Sequence, residues 1–270
     1  MIKEILNWLL SFFRKPTGVL PIKVMGSDEI YVPSIQMDGN WLPYMTKPYE
    51  TQYLGFDQLN CVTKSGMHCV EAILNYYLKN GGLPKELEDF LKNPKAGYLN
   101  DQGFVDLSER FTAKMAGTTK EGLGMDKFWQ SINKDGFVPK KVYPDPTGSF
   151  TWEDYYKPIP ENVIEVGRRS AKIFNWIWKV KVYNNWNAPN LSDIRGYLKG
   201  SPIHFSTCLC NRDFAGVLRY TCGSKVYQHA MTLYSVNDFQ DVLDQYDPFL
   251  RKSDLKYPLP CVIVAGLLLI

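Results

Sequence analysis

Residues 61–79 constrain this chain more than any other segment. Small or apolar side chains recur at 61, 62, 65, 69, 72, 73 and 76, the spacing of one helix face, and Asn80-Gly81-Gly82 supplies the stop. A helix of that length and that low charge has to sit at the centre of the molecule, so other segments must form a shell around it. Helical spacing continues at 85–91, 104–115, 125–135 and 191–199, and strand-like runs follow at 203–209, 215–221, 229–236 and 262–269. Helices first and strands afterwards predict an α+β fold of two packed lobes, and a cleft between two lobes is the natural place for a site.

Composition narrows the possible functions. With 45% hydrophobic and 22% charged residues the chain is an ordinary globular one, and a net charge of +3 is too small for a nucleic-acid footprint. The six cysteines are too sparse for a disulfide scaffold, lack a Cys-x-x-Cys pair and are joined by only three histidines, so no metal and no cofactor is expected. Reduced thiols point to a reducing cytoplasm or a virus particle rather than to secretion. Residues 1–15, MIKEILNWLLSFFRK, read as an amphipathic helix stopped by Pro16; it is a poor signal peptide and reads as a terminal helix docked on the domain or on a virion or assembly partner, with a membrane-surface or assembly anchor as the alternative. Residues 21–24 and 29–32 alternate around Gly26-Ser27-Asp28 as a hairpin, and an extended stretch runs on through Tyr53. The apolar run 261–270 is far shorter than the roughly 20 residues of a membrane span and reads as a buried last strand.

Few residues here can do chemistry. Cys61 stands where a loop enters the central helix, and a helix N-terminus favours thiolate through its dipole and its free amides. His229 opens a strand of the second half and can act as base, and Asp244, in Asp244-Gln245-Tyr246, can orient the imidazole. Cys69, two turns into the helix, reads as a buried thiol; His68 and His204 read as structural, and Glu71 as a buried carboxylate bonded to backbone or to a tyrosine.

The run GFDQLNCVTKSGMHCVEAIL (55–74) resembles the active-site helix of the papain-like cysteine peptidases, with Gln58 before the cysteine and Ser65, Val70 and Glu71 in register. Further matches follow in the family's order: VDLSERF (105–111), INKDGFVPKKVYP (132–144), LSDIRGYLKGSPIHFST (191–207) and QHAMTLYSVND (228–238). The resemblance implies a two-lobed fold, with a helical left lobe around the active-site helix and an antiparallel β right lobe. It implies a Cys61-His229-Asp244 site, with Gln58 and the Cys61 backbone N–H holding the oxyanion, acting on peptide or protein substrates.

The chain departs from the family in several places. Gln58 lies only three residues before Cys61, Asp-Gln-Tyr replaces Asn-Ser-Trp, and the family's Cys-x-Gly-Gly loop is replaced by residues 117–122. His229 follows Cys61 by 168 positions, against roughly 130–150 in papain-like enzymes, so 150–186 reads as an insertion that covers or narrows the cleft. In these respects the chain is similar to divergent papain-like proteins of bacterial viruses. The expected organisation is an N-terminal segment, 1–54, followed by a papain-like domain, 55–270. The alternatives are an inactive papain-fold binding or structural protein of a viral particle, and a transglutaminase-like or amidase-like Cys-His enzyme.

Overall fold

The spacing at 61–79 is realised as helix α1, Cys61–Asn80, in a computed structural model that describes residues 19–20, 37–47, 58–174, 176–182, 191–207, 210–212, 218–220, 229–237, 242–246, 253–256 and 261–269. The helix expected at 1–15, the hairpin expected at 21–32 and the stretch at 48–53 lie outside the described residues. Every residue of α1 from Cys61 to Asn75 is buried. Gly81 and Gly82, at φ 78° and 111°, turn the chain away in a region that side chains disfavour.

Six helices follow among the described residues: α2 (Lys85–Lys92), α3 (Glu109–Met115), α4 (Met125–Asp135), α5 (Trp152–Tyr155), α6 (Glu161–Ile173) and α7 (Leu191–Leu198). The helix expected over 104–115 starts only at Glu109. Val105 and Leu107 are extended, bridging Leu99 and Pro139, and the Ser108 hydroxyl caps α3 by accepting the Phe111 N–H.

Two short strands, β1 (Val19–Leu20) and β2 (Leu123–Gly124), pair in parallel. The second half forms an eight-stranded sheet from β3 (Trp176–Val182), β4 (Ile203–Thr207), β5 (Cys210–Arg212), β6 (Leu218–Tyr220), β7 (His229–Asn237), β8 (Val242–Tyr246), β9 (Ser253–Lys256) and β10 (Cys261–Leu269). Their order is β3-β10-β4-β7-β8-β9-β6-β5. All neighbours are antiparallel except β6 and β9, which pair in parallel at Leu218 and Leu255. Within the region read as an insertion, 150–186, the described residues form α5, α6 and β3, the last an edge strand against β10.

One apolar core joins the halves. Val62, Met67, Val70 and Ile73 of α1 share it with Phe128, Trp129 and Ile132 of α4 and with Phe205, Met231 and Leu233 of the sheet. Burying α1 also buries polar groups, and each of the following binds another segment. Glu71 Oε1 accepts the Leu107 N–H at 2.8 Å. Asn75 accepts the Val105 N–H at 2.7 Å and donates to the Tyr44 carbonyl at 2.9 Å. The Ser65 carbonyl accepts the Thr232 hydroxyl of β7 at 2.7 Å.

Helices α1 and α4 meet at Gly66, where an added Cβ would stand 2.3 Å from a ring carbon of Phe128. Gly66→Ala is therefore expected to destabilise the protein by about 1–3 kcal/mol through overpacking, read as a lower thermal midpoint, whereas a helix-propensity effect alone would raise it.

Candidate active site

The start of α1 is built from a short buried loop. Gln58, Leu59 and Asn60 are all buried, and Leu59, at φ 52°, is the only non-glycine residue with positive φ among the described residues. A leucine in that conformation costs on the order of 1–2 kcal/mol, so its surroundings must hold it. The Tyr156 hydroxyl donates to the Gln58 carbonyl at 2.7 Å, and Asn60 Nδ2 donates to the Tyr155 hydroxyl at 3.1 Å.

Tyr155 in turn donates to Asp145 Oδ1 at 3.2 Å. Lys140 Nζ bridges Asp145 at 2.8 Å and Glu109 at 2.7 Å. Burial first, and then the Asp145 carboxylate, push the Tyr155 hydroxyl well above the usual tyrosine range, so it remains a protonated donor. The Arg110 guanidinium clamps the same segment, donating to the carbonyls of Tyr155, Asp154 and Pro144 and lying 4.5 Å from the centre of the Tyr143 ring. Nothing in the sequence reading singled out Asn60, Tyr155 or Tyr156; only the position of an insertion near the cleft hinted at them.

Cys61 is the first residue of α1 and is wholly buried. Asn60, at the cap position, makes no side-chain cap, so the amides of the first turn keep their positive field at the cysteine. Neither amide atom of the buried Gln58 side chain finds a hydrogen-bond partner among the described residues. Cys69 is a different kind of thiol. Burial pushes it far above the ordinary cysteine range despite a hydrogen bond with Thr232, so it stays protonated and inert.

His229 begins β7, its Cα opposite Thr207 of β4. Strand β7 and helix α1 run in the same sense. Thr232 bonds the turn of α1 that carries Ser65 and Cys69. Two residues on, the Tyr234 carbonyl accepts the Trp41 N–H, and the Trp41 ring lies 5.6 Å from that of Tyr76, further along α1. Traced back from the Thr232–Ser65 hydrogen bond, Cys61 is about 6 Å up the helix and His229 about 10 Å up the strand, toward the same end.

Asp244 lies on β8; its register partner on β7 is Ser235, six residues beyond His229 and so about 20 Å along the strand by backbone register.

The other histidines have separate surroundings. His68 Nδ1 lies 3.5 Å from Glu71 Oε2, within the buried stretch of α1. His204 is buried against the rings of Phe128 and Trp129, at 5.6 and 5.8 Å, and its ring nitrogens have no partner among the described residues. Among the described residues no cluster of His, Cys, Asp and Glu is arranged to hold a metal ion, and no helix is long and apolar enough to cross a membrane.

No family model and no curated protein matches the sequence. Solved structures do. Xylellain, a cysteine protease from Xylella fastidiosa, is 14% identical over 94% of this chain and 97% of its own, with a TM-score of 0.56. Procathepsin L 3 from the larval midgut of Tenebrio molitor is 12% identical over 96% of this chain and 77% of its own, with a TM-score of 0.50. The Carica candamarcensis cysteine protease CMS1MS2, solved in complex with E-64, is 14% identical over 83% of this chain and 95% of its own, also at 0.50. At such identities the likeness establishes the fold, which is α+β and papain-like.

Burial lowers the pKa of His204 to about 3, whereas the same residue in the unfolded chain titrates near 6.5. Between those values the unfolded state binds the extra proton, so stability falls as pH drops below about 6.5. Replacing the ring by an aliphatic side chain, His204→Leu, is expected to flatten the slope of unfolding free energy against pH between 4 and 6, measured by urea titration.

Proposed function

We propose that the chain is a papain-like cysteine peptidase with Cys61 as nucleophile and His229 as general base. The observation that carries this reading is the position of a cysteine as first residue of the buried helix α1, with a histidine at the start of the strand that runs beside it in the same sense. Two supports are independent of it: the fold is shared with cysteine proteases, and the rival thiol, Cys69, is held protonated in the core.

In this reading the Cys61 sulfur attacks a peptide carbonyl carbon, and the carbonyl oxygen becomes an oxyanion facing the Cys61 backbone N–H and the Gln58 amide. His229 takes the thiol proton and passes it to the amine as the C–N bond breaks, leaving the acyl group on sulfur as a thioester. His229 then takes a proton from water, and the hydroxide adds to the thioester carbon. As the C–S bond breaks, the carboxylic acid leaves and the sulfur regains the proton. We assign Asp244 no part in these steps, because its register partner on β7 stands six residues beyond His229.

A second reading is an inactive papain-fold binding protein. One observation favours it: Cys61 is wholly buried, so a substrate reaches the thiol only if something above it moves.

The two readings separate on labelling with an irreversible epoxide at pH 6–8, mapped by mass spectrometry. The peptidase reading expects modification at Cys61 and not at Cys69, abolished in Cys61→Ala and slowed at least about a hundredfold in His229→Ala. Truncating the side-chain oxyanion donor, Gln58→Ala, is expected to lower kcat on the order of a hundredfold. Asp244→Asn should leave the labelling rate within about threefold. Absence of labelling at Cys61 favours the binding protein.

A further inference from the structure

We infer that Tyr155 and Tyr156, at the end of α5, are positioning residues for the Cys61 site, locking the Gln58–Asn60 loop in its reactive shape. The inference rests on the peptidase reading and adds two residues that carry no reactive group themselves. Three observations carry it.

The first is the conformation of the loop. Leu59 holds a left-handed backbone that its side chain disfavours, between Gln58, which supplies the amide proposed for the oxyanion, and Asn60, which precedes the nucleophile. A loop left to itself relaxes out of that shape, and the Gln58 side chain and the Cys61 N–H move with it.

The second is the pair of hydroxyl contacts on either side of Leu59. Tyr156 donates to the Gln58 carbonyl and Tyr155 accepts from the Asn60 amide, at 2.7 and 3.1 Å, and these groups are buried. In a buried setting each contact is costly to lose, because its partner is left without water.

The third is the rigidity of the tyrosines' own support. Tyr155 is fixed through its hydroxyl by Asp145, through its carbonyl by Arg110, and through its ring by Tyr156 at 4.9 Å; Asp145 is fixed by Lys140. Trp152 lies against Tyr156 at 4.3 Å. This backing places a fixed wall behind a strained loop, which is what holding catalytic groups to within a fraction of an ångström requires.

The test uses the full-length protein with Tyr155→Phe and Tyr156→Phe, which remove only the hydroxyls, and Tyr98→Phe as a control in the core against Phe90 and Phe137. Peptide hydrolysis is measured well below each variant's melting temperature, and kcat is expressed per Cys61 thiol titrated with the epoxide. The expected result is a fall in kcat of about tenfold or more in each tyrosine variant, KM within about twofold, and no change in Tyr98→Phe. Unchanged kcat per titrated thiol overturns the inference. So does a loss seen only as fewer titratable thiols or a raised KM, since those report folding or binding. A wild type that neither turns over nor is labelled overturns the peptidase reading, and the inference falls with it.

Discussion

The structure depends on taking helix α1 out of water together with its polar side chains. An apolar helix in the same place could be surrounded by almost any apolar surface. Glu71 and Asn75 cannot, because each must meet a donor or acceptor at one place along the helix, and the Thr232 hydroxyl of β7 likewise finds its acceptor at one place, the Ser65 carbonyl. Those demands fix the extended chain at 105–107, the segment around Tyr44 and the strand β7 relative to the helix. The position of Cys61 relative to β7 thus follows from hydrogen bonds several residues away.

The same logic reaches the loop ahead of the helix by a different route. There the polar partners come from a segment late in the helical half, and their support passes through Asp145, Lys140 and Glu109 to α3. Ser108, which caps α3, also donates to the Tyr143 carbonyl, so α3 and the chain leading toward α5 are tied at both ends. A site residue is in this way connected to elements that never touch it.

Much of this was legible in the sequence, and the parts that were not have identifiable reasons. The spacing of small and apolar residues and the Asn80-Gly81-Gly82 stop identify α1, and of the two partners the sequence allows Glu71, backbone or a tyrosine, the structure shows backbone. The start of α3 was misplaced because Val105 and Leu107 fit a helical period as well as an extended bridge, and only Ser108 marks the boundary. Strand β3, Trp-Ile-Trp-Lys-Val-Lys-Val, alternates plainly but was read as part of a covering insertion, since the resemblance offered it no counterpart. Asp244 is suggested by its place soon after the β7 segment and by likeness to a triplet, but sequence alone does not give the register of β8 on β7, and a shift of a few residues moves a position by about 10 Å or more.

The position of β10 bears on how the molecule is made. Strand β10 lies inside the sheet, joining β3 to β4, so two segments distant in sequence meet only across a third that follows both. During synthesis, β3 has no edge to pair with until residues 261–269 emerge. The pairings that complete this half are all of high contact order and close late. A nascent chain therefore passes through translation with its helical half able to collapse early and its β half unfinished.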